Sequence, residues 1–306
     1  MFKKLTTLLI LICMMGMLSA CNNKIENKST DSKNSQGKIK VVVSFNAMRE
    51  LAEAVGKDKI EVETIIPDGT EPHDFEPRAK DIESLYNSKV FIYSGFGMEP
   101  WAEQTIEAAD NKNLVSVDAS KGFKPIESVD ADQVKEHGQY DPHLWLSLTG
   151  AEVQANNIMN ALIKVDPSNK AYYEKNYKDF VGQLEVLRIN YKEKFNNIPN
   201  KNFVTGHAAF AYLCRDFGLT QNSVEDVFAE GEPSAKKLKG LIDYCKQNNI
   251  KTIFVEEMIS SKVSDTLAKE VRAKVEKINT IESRVDNKNY VQLMSENLEE
   301  IYNSLK

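Results

Sequence analysis

Short β-branched runs alternate with helical patterns from Lys38 onward, and this alternation is the feature that most constrains the fold. In the first half, helical stretches lie around 47–56, 78–88 and 99–110. The predicted strands between and beside them are 41–45, 62–66, 90–93 and 114–117. This βαβαβαβ order predicts an α/β fold whose sheet is parallel and covered by helices on both faces.

The second half of the chain repeats the same plan. Its predicted strands are 202–205, 223–227, 252–255 and 277–281, and helices are predicted near 208–217, 234–248, 262–274 and 289–305. Residues 38–306 exceed what one hydrophobic core usually organises, so we expect two lobes.

A long helix is predicted between the two halves. Its start signal is Asp166-Pro167-Ser168 and its stop signal is Ile198-Pro199, so it spans about 30 residues and about 45 Å. Its apolar stripe, at steps of three and four, consists of Tyr173, Tyr177, Phe180, Leu184, Leu187, Tyr191 and Phe195.

Two interpretations of this helix are open: a core helix of one domain, or a rod joining two lobes. We prefer the rod because the helix falls between two complete βα series. The predicted division is an N-terminal α/β lobe at 38–165, a rigid linker helix at 166–198 and a C-terminal α/β lobe at 199–306.

The N-terminus has the pattern of an export signal. Lys3 and Lys4 precede an apolar stretch, 5–18, that is short for a membrane span. Leu18-Ser19-Ala20-Cys21 resembles the lipobox of bacterial lipoproteins. The resemblance implies a signal peptide at 1–20, a diacylglycerol on Cys21 and an anchor on the outer face of a bacterial cytoplasmic membrane; an ordinary secretory signal is the alternative.

The segment 21–37 is almost wholly polar and is predicted to be a flexible tether. Removal of 1–20 takes away two lysines and no acids, which leaves 37 Lys and Arg against 45 Asp and Glu, a net charge of −8. This charge argues against a nucleic-acid partner.

Cys214 and Cys245 remain as thiols after export and lipidation. Because both fall in helical patterns, the sequence leaves their pairing open.

Three of the four histidines occupy separate turns that follow predicted strands. They are His73, His143 and His207. A single histidine in such a place is commonly a hydrogen-bonded structural residue, but in parallel α/β sheets ligands bind beyond the carboxyl ends of the strands. Two of these histidines come from the first predicted lobe and one from the second, so together they indicate a metal site in a cleft between lobes.

A carboxylate is expected as the fourth ligand of such a site. The residues alone leave Glu256, Glu257 and Glu282 open, since each follows a predicted strand of the second half. The acids beside the histidines are expected to accept hydrogen bonds that orient the imidazole rings. They are Asp74, Glu76 and Asp141.

At this point the segments 69–77, 141–146 and 206–219 carry a family resemblance. They resemble the three histidine motifs of the zinc- and manganese-binding proteins of ABC importers, the cluster A-I, ZnuA/TroA-like family, and the resemblance extends over 38–306. It implies a TroA-like fold, in which a helical backbone joins the lobes. It also implies a monomer that delivers its metal to a membrane permease and, through it, to an ATPase subunit.

The resemblance also selects among the carboxylates. In the family the fourth ligand lies in the last strand-to-helix loop, before a Tyr-x-x-x-Met-x-x-Asn helix. Tyr290, Met294 and Asn297 match that helix, so Glu282 inherits the ligand role. Glu256 matches a supporting acidic position, and Asp286 is the alternative fourth ligand.

The metal expected from this donor set is Zn²⁺, with Mn²⁺ as the alternative. Three nitrogens and one carboxylate suit zinc better than the oxygen-rich sets that manganese favours, and manganese members of the family tend to replace the third histidine with glutamate. Many zinc members carry a histidine-rich loop before the second motif. The segment 130–138 holds only His137, which is interpreted as a solvated loop residue or as the remnant of such a loop.

Two other classes remain as alternatives to a carrier. A zinc hydrolase could use the same residue types, but a closed set of four ligands leaves no coordination position for a catalytic water. We therefore expect no enzyme activity. A surface adhesin is the third class, because some relatives are described that way.

Overall fold

Two four-stranded parallel sheets, one from each half of the chain, organise the structure. It is a computed structural model that describes residues 37–128, 134, 138–229, 233–256 and 260–306. The first sheet has the strand order β2-β1-β3-β4 and the second the order β6-β5-β7-β8. The strands are β1 Ile39–Val43, β2 Ile60–Thr64, β3 Val90–Tyr93, β4 Val115–Asp118, β5 Asn202–Thr205, β6 Thr220–Ser223, β7 Thr252–Val255 and β8 Lys274–Lys277. The predicted α/β class with parallel sheets is confirmed.

Helices flank both sheets and connect successive strands. In the described part of the chain they are α1 Asn46–Gly56, α2 Ala79–Tyr86, α3 Ala102–Ala109, α4 Leu148–Val165, α5 Lys170–Asn196, α6 Ala211–Phe217, α7 Ala235–Gln247, α8 Lys262–Val271 and α9 Tyr290–Ser304. Single 3₁₀ turns occur at Lys57–Lys59, Leu144–Leu146 and Pro167–Asn169. None of the described helices is both long enough and apolar enough to span a bilayer.

The long helix α5 lies where it was predicted. Asp166 organises its start, because the carboxylate accepts hydrogen bonds from Ser168 at 2.6 Å, Asn169 at 2.6 Å and the hydroxyl of Tyr173 at 2.8 Å. The helix has 27 residues, which corresponds to about 40 Å. Its predicted stripe is buried or partly buried against a core that contains residues of both sheets.

The predicted limits of two strands in the second half are wrong. The sequence predicted 223–227 and 277–281, whereas β6 ends at Ser223 and β8 ends at Lys277. Backbone hydrogen bonds continue for one or two residues past each strand: Val224 N–H donates to Thr205, Glu225 N–H to Gly206 and Ile278 N–H to Val255. Val224, Ile278 and Ile281 are buried in the loops after the strands rather than in the strands themselves. An apolar pattern cannot distinguish these two environments.

The hydrophobic core has a large and a small part. The large cluster includes residues of both sheets and of α5, and the small one packs α7 and α8 on the second sheet. Residues 38–306 form one compact unit, and the lobe boundaries at 165 and 199 stay a prediction.

The two cysteines belong to different clusters, Cys214 to the large one and Cys245 to the small one. Both are free thiols. Burial raises the pKa of Cys214 to about 12 and that of Cys245 to about 11.

Candidate metal centre

Four side chains that are distant in sequence meet at one point. They are His73, His143, His207 and Glu282, and one potential ligand atom from each lies within 4.8 Å of the others. Nε2 of His143 is 3.3 Å from Nε2 of His73 and 3.4 Å from Nε2 of His207. Two nitrogens bound to Zn²⁺ at about 2.0–2.1 Å in a tetrahedron lie about 3.3–3.4 Å apart. The distances from His143 to the other two imidazoles therefore fit a tetrahedral zinc ion.

The fold brings these residues together at the carboxyl ends of the strands. His73 lies on the connection from β2 to α2, and His143 lies at the end of the connection from β4 to α4. His207 comes two residues after β5, and Glu282 lies between β8 and α9. Since the ends of parallel strands face the same edge of a sheet, each half presents its candidate ligands at that edge.

His143 is buried and oriented by Asp141. Oδ1 of Asp141 accepts a hydrogen bond from the backbone N–H of His143 at 2.9 Å and lies 3.0 Å from its Nδ1. This contact assigns the ring proton to Nδ1 and leaves Nε2 as the free ligand atom. Burial, together with the nearby His207, lowers the pKa of His143 well below its ordinary value, so the ring is neutral and able to bind a metal.

His207 is held by Glu256, the residue that follows the neighbouring strand β7. Its backbone N–H donates to Oε1 of Glu256 at 3.2 Å, and its Nδ1 lies 3.4 Å from the same oxygen, which is the distance of an ion pair rather than of a well-aligned hydrogen bond. Burial alone would lower the pKa of His207, but Glu256 and the more distant Glu282 and Glu71 raise it to about 9. Gly206 permits the close approach, because a Cβ there would collide with Oε2 of Glu256.

His73 is half-buried, and its surroundings differ from those of the other two histidines. Its backbone N–H donates to Oε1 of Glu71 at 3.3 Å, and its ring packs edge to face on Phe228 with the centroids 5.3 Å apart. The sequence interpretation missed Glu71. The signal was present, because Glu71-Pro72-His73 and Asp141-Pro142-His143 share an acid two residues before the histidine that accepts its N–H.

Glu282 offers an acceptor that the surrounding protein leaves unused. The residue is 4% exposed, and its Oε2 accepts a hydrogen bond from the hydroxyl of Thr280 at 2.7 Å. Its Oε1 is buried and has no hydrogen-bond partner among the described residues. An unpaired buried carboxylate oxygen is costly, so this atom fits a metal ligand. Burial is the main cause that raises the pKa of Glu282, to about 7.

Other residues singled out from the sequence lie away from this cluster. Glu76 and Asp74 are exposed, and neither forms a hydrogen bond with a histidine within the described ranges, so the predicted orienting role of Glu76 finds no contact. The fourth-ligand alternative Asp286 is exposed and lies outside the group of four. His137, Glu257 and the lipidation residue Cys21 lie outside the described residues.

Comparison with known proteins identifies the family of this chain. A family model described as zinc-uptake complex component A, periplasmic, matches residues 41–304. The chain belongs to the ZnuA family. The ZnuA family is a metal-binding solute-binding family of importers rather than an enzyme family, and the predicted resemblance to the ZnuA/TroA-like proteins is confirmed.

Individual ZnuA-family relatives carry different descriptions. The high-affinity zinc uptake system protein ZnuA of Bacillus subtilis (strain 168) is 37% identical, and the match covers 100% of this chain and 99% of that protein. The manganese ABC transporter substrate-binding lipoprotein PsaA of Streptococcus anginosus is 30% identical over 99% of both chains. The solved structure of a mutant laminin-binding adhesin (Lmb) from Streptococcus agalactiae has a TM-score of 0.82 and 33% identity, covering 88% of this chain and 100% of that one.

Proposed function

We propose that this chain is the high-affinity zinc-binding component of an ABC importer, which captures Zn²⁺ and delivers it to a membrane permease. The observation that carries the proposal is the meeting of three imidazole nitrogens and one carboxylate oxygen within 4.8 Å. Three nitrogens and one carboxylate oxygen are a complete ligand set for a closed tetrahedral zinc site. Zinc is the transported substrate in this proposal, and His73, His143, His207 and Glu282 are its ligands.

Zinc is preferred over manganese because of the donor set. Mn²⁺ favours oxygen-rich sites, whereas imidazole nitrogen binds Zn²⁺ well. Three of the four donors here are imidazoles, and the two orienting carboxylates, Asp141 and Glu256, are engaged with His143 and His207. A manganese-binding protein is the alternative, and it is supported by the similarity to a manganese transporter lipoprotein.

The same arrangement favours a carrier over a hydrolase. A catalytic zinc site keeps one position for water and places a general base beside it. Four protein ligands occupy all four coordination positions of a tetrahedral zinc ion, and three of these side chains are almost fully buried. Such a site can hold and release an ion but has no position for a reacting water.

The location and partners belong to the same proposal. We infer that residues 1–20 are a lipoprotein signal peptide, that Cys21 carries the lipid and that 21–37 tethers the protein to the outer face of the cytoplasmic membrane. The relatives described as lipoproteins support this location. The partners are the permease and its ATPase, and the carrier acts as a monomer of two lobes, 38–165 and 199–306, joined by 166–198.

Metal titration of the purified mature chain tests the proposal. We expect one tightly bound Zn²⁺, weaker Mn²⁺ binding and no metal-dependent hydrolysis of peptides or esters. Because His143→Ala and His207→Ala remove ligands, each should weaken zinc binding by more than about 100-fold, the upper limit typical for residues that only orient a ligand. His137→Ala is the control. Equal losses in all three variants, or measurable turnover, would contradict the assignment.

An adhesin is the second candidate function, because a protein of the same fold is described as a laminin-binding adhesin. The two functions predict different phenotypes for a deletion of the gene. Loss of a zinc carrier slows growth under zinc chelation, and added zinc restores it. Loss of an adhesin alone leaves zinc-limited growth unchanged.

A further inference from the structure

The loop that carries Glu282 is held by residues of the N-terminal half. This loop, residues 280–284, follows β8, yet four consecutive backbone carbonyls in it accept hydrogen bonds from the first half of the chain. Trp145 Nε1 donates to Thr280 at 2.7 Å, and Asn46 supplies the donors to Ile281, Glu282 and Ser283.

Asn46 is the residue at the centre of this contact. It is 1% exposed and is the first residue of α1, three residues after the end of β1. Its side-chain amide donates to the carbonyls of Ile281 and Ser283, each at 3.2 Å, and its backbone N–H donates to the carbonyl of Glu282 at 3.4 Å. One side chain thus binds the backbone on both sides of the carboxylate ligand.

The loop needs such support because its backbone is strained. Ile281 has a φ of 62°, in the left-handed region that a β-branched residue rarely adopts. Strained conformations of this kind persist where the surrounding contacts over-determine them, and they are concentrated at functional sites. Two neighbouring contacts add to the support: Gly69 N–H donates to Oγ of Ser283 at 2.9 Å, and Arg284 N–H donates to Oδ1 of Asp68 at 3.0 Å.

We propose that Asn46 is a positioning residue for metal binding, which preorganises Glu282 against the two histidines of the N-terminal half. The proposal rests on the proposed function, since it takes Glu282 as a ligand. His207, in contrast, is held by Glu256 of its own half. Three of the four ligands therefore take their position from the N-terminal half, and Glu282 does so through Asn46.

Zinc affinity of Asn46→Ala, compared with a matched control, is the first test. Asn176→Ala is the control, because Asn176 is also a buried asparagine, 3% exposed, whose amide donates to a distant backbone carbonyl, that of Val55 at 2.9 Å. We expect Asn46→Ala to weaken zinc binding about 10- to 100-fold, as loss of a partner that orients a ligand does. Asn176→Ala should change the zinc affinity by less than about twofold, a smaller effect than the loss expected for a residue that orients a ligand. Equal affinities of wild type and Asn46→Ala would overturn the proposal.

A double-mutant cycle with Glu282→Ala separates positioning from a general structural role. If Asn46 acts through Glu282, Asn46→Ala should cause no further loss of zinc affinity once Glu282 is alanine. The same fold-loss in both backgrounds would show that Asn46 does not act through Glu282. If Asn46→Ala does not fold, the isosteric Asn46→Asp, which has no side-chain donor, replaces it in the same cycle.

Hydrogen exchange of the metal-free protein tests the contact without zinc. Asn46→Ala should accelerate exchange of the backbone amides in 282–285, whereas Asn176→Ala should not. Unchanged exchange in this loop would overturn the proposal. A wild-type protein that binds no zinc would contradict the proposed function instead, so the two failures are distinguishable.

Discussion

Oδ1 of Asp141 lies 3.0 Å from Nδ1 of His143, and both side chains are buried. The same oxygen accepts the backbone N–H of His143 at 2.9 Å, so one carboxylate orients both the main chain and the ring. The backbone carbonyl of Asp141 in turn accepts the hydroxyl of Tyr212 at 2.7 Å. Tyr212 lies on α6, so the second half of the chain also contacts the residue that orients His143.

Asp141→Asn should weaken zinc binding about 10-fold, the lower end of the usual cost of changing a residue that orients a ligand. The amide keeps the shape and one acceptor oxygen, but it removes the negative charge that increases the basicity of His143. Competition with a zinc chelator measures the change. Asp74→Asn is the control, because Asp74 is exposed; a comparable loss there would indicate a general charge effect instead.

Gly206→Ala should weaken zinc binding, because the new Cβ would collide with Oε2 of Glu256 and displace the carboxylate from His207. Gly240→Ala is the matched control, since a Cβ at Gly240 in α7 meets no atom within 4 Å. It should leave the affinity unchanged and raise the free energy of unfolding by about 0.5–1 kcal/mol, because glycine inside a helix is unfavourable. Titration calorimetry and urea unfolding of both variants make the comparison, and unaltered zinc affinity of Gly206→Ala would argue against the role of Glu256.

Zinc affinity should fall as the pH falls. In the metal-free protein the pKa of His207 is raised to about 9 and that of Glu282 to about 7, while that of His143 is lowered. Below pH 9 the zinc ion therefore displaces a proton from His207, and below pH 7 it displaces a second one from Glu282. Between pH 9 and 7 the zinc affinity should decline as the pH falls, because each ion displaces one proton. Below pH 7 it should decline more steeply, because each ion displaces two.

Calorimetry in buffers of different ionisation enthalpy counts the released protons directly. The expected count at pH 6 exceeds that at pH 8. A count that is the same at both values would mean that Glu282 does not gain a proton in this range.

Zinc should raise the thermal stability of the protein, because the ion binds the folded chain. At a free zinc concentration 100 times the dissociation constant, the gain is about 2.7 kcal/mol, which for a chain of this size corresponds to an increase in Tm of about 5 °C. A thermal scan with zinc and then with excess chelator measures it. His207→Ala should show a much smaller shift at the same zinc concentration; a shift equal to that of wild type would place the ion elsewhere.

Local patterns in the sequence account for much of the fold. The apolar stripe from Tyr173 to Phe195 predicted α5, and the alternation of strands and helices predicted two parallel sheets, since both depend on periodicities of a few residues. The edge strand β6, Thr-Gln-Asn-Ser, was misplaced because it has no apolar residue to identify it. The buried Val224 beyond it attracted the prediction instead.

The sequence by itself determined which histidines converge, because strand ends in parallel sheets share an edge and the motifs around them resemble one family. It could not choose the carboxylate from the residues alone, since Glu256 and Glu282 both follow strands and both are buried. Only the tertiary structure decided that Glu256 holds His207, that Glu282 keeps a free oxygen, and that Asn46 holds the loop of Glu282 from 235 residues away in sequence. Contacts across such a separation depend on how whole elements pack, and no local pattern records them.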